Sequence, residues 1–338
     1  MKVTMGDVAR KAGVSKTTVS RILNGNYSHT TYETRKRVIK AIEELDYRPN
    51  ALAKGLKSAK TNVIGMVLSN LKNPFWATVL EGVEDACHNK GYNLMICNTN
   101  EEKEKEEEYI KAFQTKQVDG IVINPTGQNL PLYKSTVSSI PTVVINRRIP
   151  DLSAHTVIAD NEKGAYLAVR HLLKNSRKNI AAIAFQNPYV STWKDRLKGY
   201  QNALYEKGFL EEAITILELE QKSDSVRESI IRFIKNNANI DAIFSTNNMI
   251  TLEIIGAINE LGLAIPEDIA IIGYDETIWS KYLNPPLTTI RQPGYLMGRI
   301  AVENLISAID EKRKLENYIT MLVPELIIRE SCGTKTGL

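Results

Sequence analysis

The sequence predicts a chain of two parts, a small helical head followed by a larger α/β body. Residues 8–25, VARKAGVSKTTVSRILNG, hold two short helical segments separated by a glycine-containing turn, which is the pattern of a helix-turn-helix. Residues 30–47, TTYETRKRVIKAIEELDY, add a third helix. From residue 62 onward, short apolar runs alternate with amphipathic stretches, as they do in α/β folds built on parallel sheets.

The limits of the second helix follow from its flanking residues. Gly13 and Ser15 interrupt the apolar pattern, and the Ser15 hydroxyl is placed to accept the amide of Thr17 or Thr18. The second helix should therefore start there and run to about Asn24. The apolar positions of the two segments are Ala9, Ala12, Val14, Val19, Ile22 and Leu23.

A third helix is required because helices of two turns are marginal in water by themselves. Thr30 and Glu33 fit a capping box at its start. Its apolar face at helical spacing is Val38, Ile39, Ile42 and Leu45. By the apolar pattern alone, the head could equally be a structural three-helix bundle.

The charge distribution favours a nucleic-acid target over a purely structural head. Residues 1–60 hold 13 Lys and Arg against 5 Asp and Glu, an excess of +8, whereas the other 278 residues hold 30 basic against 34 acidic residues, or −4. A basic helix-turn-helix beside a mildly acidic body is typical of a protein directed at DNA phosphate. Side chains able to bind base edges or phosphate lie on the second helix, namely Lys16, Thr17, Thr18, Ser20 and Arg21.

The segments VTMGDVARKAGVSKTTVSRILNG and TRKRVIKAIEELDYRPNALAKGLK resemble the DNA-binding headpiece and hinge of the LacI/GalR (lac repressor) family of bacterial transcription regulators. The resemblance implies that Lys16, Thr17 and Arg21 contact bases in the major groove. It places Thr4, Ser15, Thr18, Ser20 and Asn24 nearer the phosphates. Lac repressor itself binds DNA with an affinity that falls steeply as salt rises, and the resemblance implies the same dependence here.

Residues 48–57, RPNALAKGLK, are by themselves too short for a stable helix, and Gly55 weakens helix formation further. They could therefore be a plain linker, in which Asn50 caps or binds backbone. The family resemblance instead implies a hinge helix that pairs with its dimer mate in the minor groove. Leu56 then matches the leucine inserted at the central base step, with Ala53 as the small residue beside it.

The body is long enough for two lobes, at about 275 residues. Its nine apolar runs form two series, NVIGMVLSN, YNLMICNTN, DGIVINPT, PTVVINRR and TVIAD, then NIAAIAFQ, AITILELE, DAIFSTNN and DIAIIGYDE. The series separate near Asp160. The resemblance adds chain crossings near Arg291 and Val323, as in periplasmic sugar-binding proteins. We therefore expect a headpiece at 1–47, a hinge at 48–60, and a body at 61–331 with lobes of 61–160 plus 292–322 and 161–291 plus 323–331.

Several function classes receive no support from the sequence. There is no apolar run of about 18 residues and no amino-terminal signal peptide, so we expect a cytoplasmic protein with no membrane contact. Three cysteines without a CxxC pair and four histidines without ligand spacing predict no metal site, disulfide or cofactor. The charge run at 101–113, EEKEKEEEYIKAF, is interpreted as a solvated helix face.

Ligands of open α/β sheets bind at the carboxyl ends of strands, and polar and aromatic residues follow several predicted strands. Aromatic faces with Asp, Asn and Arg are typical of sugar recognition. The family resemblance singles out Arg196 and Asp275, then Asp160 and Asn247, with Phe75 and Trp76 as a pocket wall. The predicted effector site is Phe75, Trp76, Arg147, Asp160, Trp193, Arg196, Asn247 and Asp275.

Two details bear on which effector is bound. Many members of the family have Asn-Asp where this chain has Asn247-Asn248, so one carboxylate is missing. The run PTVVINRR ends in two arginines, of which only one can face the cleft. If that one is Arg147, it could hold a carboxylate together with Arg196, which would favour a sugar acid over its neutral parent.

The function predicted is a transcription repressor of carbohydrate metabolism genes, controlled by a small sugar or sugar-acid effector. It should bind a near-palindromic operator as a homodimer; the chain ends at GTKTGL without heptads, which favours a dimer over a tetramer. Three alternatives stay open. They are control by a protein corepressor, a sugar receptor without DNA binding, and a sugar-processing enzyme using Asp160 and Asp275 as a carboxylate pair.

Overall fold

The structure is a computed structural model that describes residues 3–47, 60–220 and 225–334. The chain divides into two compact units, Met1–Thr61 and Asn62–Leu338. The first unit contains helices α1 (Met5–Ala12), α2 (Lys16–Leu23) and α3 (Tyr32–Glu44). Its core comprises Val8, Ala9, Ala12, Val19, Ile22, Val38, Ala41 and Tyr47.

Helix α2 begins where the sequence predicts, because the Ser15 Oγ accepts the amide of Thr18 at 3.1 Å. The predicted cap of α3 is wrong by one residue. Thr31 rather than Thr30 forms the cap, and its Oγ1 accepts the amide of Thr34 at 3.2 Å. With threonine at both positions, the choice depends on how α3 packs rather than on local propensity.

Two further details of the head differ from the prediction. Ile39 is 39% exposed, while Tyr47, beyond the end of α3, is buried in the core. The sequence analysis also missed a capping box at the start of α1. There Thr4 and Asp7 bond reciprocally, with the Thr4 amide donating to Asp7 at 2.9 Å.

The second unit contains two six-stranded sheets. The first sheet has strand order β11-β5-β4-β3-β1-β2, and the second has β12-β10-β9-β8-β6-β7. All pairings are parallel except that of β10 with the edge strand β12. The strands are β1 (Val63–Leu68), β2 (Asn93–Asn98), β3 (Gly120–Ile123), β4 (Thr142–Ile145), β5 (His155–Ala159), β6 (Ile180–Phe185), β7 (Thr215–Leu219), β8 (Ala242–Ser245), β9 (Ala270–Tyr274), β10 (Thr288–Arg291), β11 (Ile319–Leu322) and β12 (Glu325–Ile327).

Helices cover both faces of each sheet, which is why the strands are continuous apolar runs. The first sheet has α4 and α11 on one face and α5 and α6 on the other. The second sheet lies between α7 with α8 and α9 with α10. These helices are α4 (Phe75–Asn89), α5 (Lys103–Thr115), α6 (Leu130–Ser139), α7 (Asn161–Lys174), α8 (Ser191–Glu206), α9 (Val226–Asn236), α10 (Asn248–Glu260) and α11 (Gly294–Asp310). This architecture confirms the predicted fold class.

Each sheet with its helices forms one lobe, and the chain passes between the lobes three times. The passages lie between β5 and α7, between β10 and α11, and between β11 and β12. Two of them are adjacent, since the Asp160 amide donates to the Leu322 carbonyl at 2.8 Å. The lobes are thus joined by short segments next to one another, which leaves the strand ends of both lobes free to shape a shared site.

Close packing of α4 against α11 builds one wall of that site. A Cβ added at Gly298 would lie 2.2 Å from the Val79 carbonyl oxygen, and one added at Gly82 would lie 2.0 Å from that of Tyr295. The helices therefore touch backbone to backbone. This contact anchors α4, whose first residues are Phe75 and Trp76.

Candidate functional site

The head presents polar side chains on the outer face of α2. Val19 and Ile22 point into the core, whereas Lys16, Thr17 and Arg21 are exposed. Thr17 and Arg21 are four residues apart and so lie on the same side of the helix. One turn of helix thus displays a hydroxyl and a guanidinium toward solvent, as contact with a DNA groove requires.

Other predicted DNA contacts in the head also serve the ends of helices. Thr4 caps α1 and Ser15 caps α2. The Thr18 hydroxyl lies 2.9 Å from the Ser15 Oγ, and the Asn24 amide group donates to the Ser20 carbonyl at 2.9 Å. Ser20 and Thr18 are half-buried. The predicted hinge contacts Asn50, Ala53 and Leu56 lie outside the described residues.

Two acidic residues of the head, Asp7 and Glu44, form ion pairs with basic residues. Lys11 bonds to Glu44 at 2.7 Å and joins α1 to α3, and Arg10 lies 3.4 Å from Asp7. The Thr4 hydrogen bonds lower the pKa of Asp7, with Arg10 assisting. These two carboxylates therefore stabilise the fold of the head through their ion pairs and, at Asp7, through the cap of α1.

A cavity of about 490 Å³ lies between the two lobes of the body, a volume suited to a small molecule. Gln292, from the passage between β10 and α11, forms part of its wall. The first lobe contributes Ser69, Asn70, Lys72, Asn73, Phe75, Trp76, Asn100, Glu101, Glu102, Asn146 and Arg147, and the second contributes Phe185, Thr192, Trp193, Arg196, Asn247, Met249 and Asp275.

Each lobe supplies an aromatic pair to the cavity. The rings of Phe75 and Trp76 meet edge to face with centroids 5.3 Å apart, and those of Phe185 and Trp193 are tilted with centroids 5.7 Å apart. Planar apolar surfaces on both sides can cover the C–H faces of a flat ligand such as a sugar ring.

Arg147 enters the cavity already paired with a carboxylate. Its two terminal nitrogens bond to the two carboxylate oxygens of Glu101 at 2.8 and 2.6 Å, and Nη1 also donates to the Pro125 carbonyl at 2.8 Å. The arginine side chain is 4% exposed and the glutamate side chain 10%. The Arg147 Nε is buried without a hydrogen-bond partner.

Arg196 is buried opposite and is held by neutral groups. Its Nε donates to the Asn161 Oδ1 at 2.8 Å, and its Nη1 donates to the Thr246 carbonyl at 2.6 Å. The guanidinium stacks 3.7 Å from the centre of the Tyr274 ring. Burial raises the pKa of Tyr274 while the nearby Arg196 charge opposes that rise, so the phenol stays neutral beneath the cation.

Asp275 completes the polar part of the second lobe. It is 3% exposed and follows β9 in a left-handed conformation, with φ 74°. The Gln292 Nε2 donates to its Oδ1. The Gln292 Oε1 and the Asn146 Oδ1 are buried without partners, and both residues line the cavity. A buried polar atom of this kind costs roughly 1–3 kcal/mol unless a ligand or water satisfies it.

Comparison with known proteins identifies the family. Residues 4–50 match the family model of bacterial regulatory proteins of the lacI family, and residues 169–332 match the periplasmic binding protein-like domain. The repressor PurR of Aliivibrio fischeri is 35% identical over 336 residues, 98% of this chain and 99% of the relative. The regulator KdgR of Bacillus subtilis is 34% identical over 331 residues, 97% of each chain.

The chain belongs to the LacI family. This confirms the resemblance drawn from the head and hinge, and the protein is a DNA-binding transcription regulator. A lac repressor dimer bound to operator and an anti-inducer superimposes with a TM-score of 0.86 at 26% identity, covering 98% of this chain and 99% of that one. A CelR–cellobiose complex gives a TM-score of 0.71 at 27% identity, covering 97% and 99%.

The structure of this LacI-family regulator brings most of the predicted effector residues together. Phe75, Trp76, Arg147, Trp193, Arg196, Asn247 and Asp275 all line the cavity. Asp160 does not. Its carboxylate caps α7 by accepting the Lys163 amide at 2.9 Å, so Asp160 and Asp275 do not form a carboxylate pair across the cavity.

The two arginines after β4 have different partners, although both lie beyond the end of the strand, where side-chain alternation no longer applies. Arg147 faces the cavity, whereas Arg148 bonds to Asp195 of the other lobe at 2.5 Å. Burial raises the pKa of Asp195 and the Arg148 charge opposes that rise. The Arg148 amide also donates to the Ser191 Oγ at 2.9 Å, so this arginine joins the lobes rather than binding ligand.

The asparagine that replaces the usual aspartate also joins the lobes. The Asn248 side-chain amide donates to the Asn73 Oδ1 at 2.8 Å, while Asn247 caps α10 by accepting the Met249 amide at 2.9 Å. An amide at 248 can donate this bond, which an ionised carboxylate could not.

The interpretation of residues 101–113 as a solvated helix face is wrong for two of its glutamates. Lys105 and Lys111 do pair at the surface with neighbouring glutamates. Glu101, however, pairs with Arg147 in the cavity. Glu106 is completely buried, and its carboxylate accepts the Thr126 amide at 2.7 Å and three further bonds.

Sequence reasoning missed several cavity residues. They are Lys72, Asn73, Asn100, Glu101, Glu102, Phe185, Thr192, Met249 and Gln292. Phe185 and Asn100 lie at the ends of two of the predicted runs, NIAAIAFQ and YNLMICNTN, so their position at strand ends was an available signal. Glu101 belongs to the run of charged residues at 101–113, in which no pattern distinguished it from residues at the surface. Gln292 follows a strand, β10, that the apolar pattern did not reveal.

Residues 3–47, 60–220 and 225–334 contain no group of three His, Cys, Asp or Glu arranged to hold a metal ion. Within the same ranges, every helix is too short or too polar to cross a membrane.

Proposed function

We propose that this regulator represses carbohydrate genes by binding a near-palindromic operator as a homodimer, and that a sugar or sugar acid in the cavity sets its operator affinity. The observation that carries the proposal is the composition of the cavity wall, where aromatic rings from both lobes lie beside the buried polar and charged side chains of Arg196, Asn247 and Asp275. Rings can cover the C–H faces of a sugar, and groups of this kind can bind its hydroxyls, each of which both donates and accepts.

The aromatic pairs support the same class of ligand. Phe75 and Trp76 lie in one lobe and Phe185 and Trp193 in the other, so a ring bound between the lobes is covered on both faces. Structural relatives support it too, since one is a complex with cellobiose and another, at 28% identity and TM-score 0.69, is a complex with D-xylulofuranose.

DNA recognition is assigned to the exposed face of α2. Lys16, Thr17 and Arg21 contact bases, and Thr4, Ser15, Thr18, Ser20 and Asn24 lie nearer the phosphates. Asn50, Ala53 and Leu56 form the hinge contacts. We further propose that the protein regulates without catalysing a reaction and acts in the cytoplasm, where its operator DNA is.

Ligand binding is linked to DNA binding through the lobes. Asn73–Asn248 and Arg148–Asp195 bonds cross from one lobe to the other. A ligand between the lobes favours the arrangement of the lobes in which both contact it. Because the ligand binds that arrangement more tightly than others, it changes the fraction of protein molecules that can bind the operator.

The test combines operator selection with effector screening. Full-length protein is used to select DNA from a random pool, and footprinting maps the site. Two half-sites related by a dyad are expected, and a single asymmetric half-site would contradict the dimer. Operator affinity is then measured with neutral sugars and sugar acids. At least one of them should change the dissociation constant tenfold or more. If Asp275→Asn abolishes that change while operator affinity without sugar is retained, the cavity is the effector site.

A further inference from the structure

The Arg147–Glu101 pair is an unusual feature of the cavity wall. The two residues are far apart in sequence, one after β4 and the other after β2, yet they form a bidentate ion pair that is almost fully buried. A bidentate arrangement uses the guanidinium edge that would otherwise bind a ligand carboxylate. Arg147, which the sequence suggested as a group that could bind a ligand carboxylate, is therefore already paired with the carboxylate of Glu101.

The backbone that presents Glu101 is strained. Asn100 and Glu101 have φ values of 51° and 63°, so two consecutive non-glycine residues adopt the left-handed region, which costs free energy at each. The Glu101 amide donates to the Ser69 carbonyl at 3.0 Å, which holds the turn next to the cavity. Strain maintained beside a binding site indicates that the direction of this side chain matters there.

We infer that Glu101 is a specificity-determining residue that makes the cavity select uncharged ligands over their carboxylated counterparts. The inference rests on the proposed function and narrows its ligand class. Three cationic side chains line the cavity, Lys72, Arg147 and Arg196, together with three carboxylates, Glu101, Glu102 and Asp275. Formal charge is balanced before any ligand enters.

Rejection of an anion follows from the geometry. A ligand carboxylate that reaches for the terminal nitrogens of Arg147 must either displace Glu101 or lie beside its carboxylate. Displacement leaves a buried glutamate without its partner, and juxtaposition places two like charges in a poorly solvated site. Selectivity thus arises from the Glu101 carboxylate, which opposes a carboxylated ligand, as well as from the contacts that bind an uncharged ligand.

Glu101→Gln tests this directly because it removes the blocking charge and retains the shape of the side chain. Sulfate serves as the anionic probe, since guanidinium groups bind oxyanions bidentately. Full-length protein is titrated with sodium sulfate at an ionic strength held constant with chloride. Tryptophan fluorescence reports binding, because Trp76 and Trp193 line the cavity. The unfolding temperature is followed in parallel.

The matched control is Glu102→Gln, which removes the adjacent charge. Glu102 also lines the cavity but pairs with Lys105 at 2.9 Å. Sulfate stabilises proteins generally, so the informative quantity is the difference between variants. We expect Glu101→Gln to bind sulfate at least tenfold more tightly than both the wild type and Glu102→Gln. Glu101→Gln/Arg147→Gln should lose that gain.

Equal sulfate affinity in wild type and Glu101→Gln would overturn the inference, as would an equal gain in Glu102→Gln. The single variant leaves Arg147 buried without a carboxylate, so it can be unstable in chloride. In that event millimolar sulfate is expected to restore folding, and failure to restore it counts against the inference.

A second arm compares D-galactose with D-galacturonate and D-glucose with D-glucuronate by calorimetry. For any pair that binds, the wild type should prefer the neutral sugar, and Glu101→Gln should move the affinity ratio at least tenfold toward the acid. A wild type that prefers the acid refutes the inference. If no sugar or acid binds while sulfate behaves as expected, the ligand class of the proposed function fails and the role of Glu101 stands.

Discussion

Gly298→Ala should destabilise the body, because α11 and α4 touch through their backbones at this position. The added Cβ would lie 2.2 Å from the Val79 carbonyl oxygen and 3.0 Å from the Val83 amide nitrogen. Neither atom can rotate away, since both belong to the helix α4 backbone. The helices must separate by about 1 Å to reach an ordinary contact distance, which loosens the packing of the surrounding core.

The magnitude is the balance of two terms. Alanine gains about 1 kcal/mol over glycine in a helix interior, whereas overpacking a core typically costs about 1–3 kcal/mol and more when backbone must move. We expect a net loss of about 2 kcal/mol in the free energy of unfolding. For a unit of this size, that corresponds to a fall of about 4–8 °C in Tm.

Gly256→Ala is the matched control, because Gly256 also lies inside a helix, α10. Its added Cβ would meet the end of the Arg227 side chain at 2.9 Å, and that side chain is 49% exposed and able to move. Chemical denaturation and calorimetry should show Gly256→Ala as stable as the wild type or up to about 1 kcal/mol more stable. The reasoning is refuted if Gly298→Ala is as stable as the wild type, or if both variants lose equal stability.

Three further outcomes are expected. Glu106→Gln should lower the free energy of unfolding by about 1–3 kcal/mol in denaturant titrations. The glutamine NH2 group would face one of the groups that now donate a hydrogen bond to the carboxylate, such as the Thr126 amide. Unchanged stability would contradict this. Burial raises the pKa of Glu276, but hydrogen bonds from Arg329 and Thr289 outweigh it and the net pKa is lowered. The stability that Glu276 contributes is therefore fully present above its unfolded pKa of about 4.3 and is lost as pH falls through the folded pKa, so the difference in unfolding free energy between wild type and Glu276→Gln should be largest at pH 7 and should shrink as the pH is lowered below about 4. Arg21→Ala should cost about 1–3 kcal/mol of discrimination at one base pair in each operator half-site, measured by competition with single-base variants; an equal loss on every DNA would identify a phosphate contact instead.

Local pattern was enough to predict nine of the twelve strands and the start of α2. The nine apolar runs correspond to strands β1 to β9, and Ser15 marks the start of α2, because strand alternation, apolar runs and helix caps depend on neighbours within a few residues. Strands β10, β11 and β12 gave no comparable signal, because β11 and β12 are partly exposed edge strands and β10, TTIR, is not a continuous apolar run. The cap of α3 failed for a related reason, as Thr30 and Thr31 have equal local propensity.

Part of the cavity could be predicted from sequence, because parallel sheets collect strand ends at one edge. That rule, with the family resemblance, placed Phe75, Trp76, Arg196 and Asp275 at the site they occupy. The strand-end rule failed for Asp160, which also follows a strand but whose carboxylate caps α7. Strand-end position predicts proximity to a site, whereas the direction of a side chain depends on the hydrogen-bonding needs of its own backbone.

The sequence by itself determined the family, the basic helix-turn-helix and the residues available to bind a ligand. Only the tertiary structure decided which of their charged groups pair with one another. Glu101 looked like one member of a solvated run, and Arg147 looked like a free cation, because the ion pair between them joins two strand ends that are separated in the chain. Coulombic interactions follow distance in space and local burial rather than sequence separation, so the charge selectivity of the cavity becomes visible only once the sheet has brought β2 and β4 to the same edge.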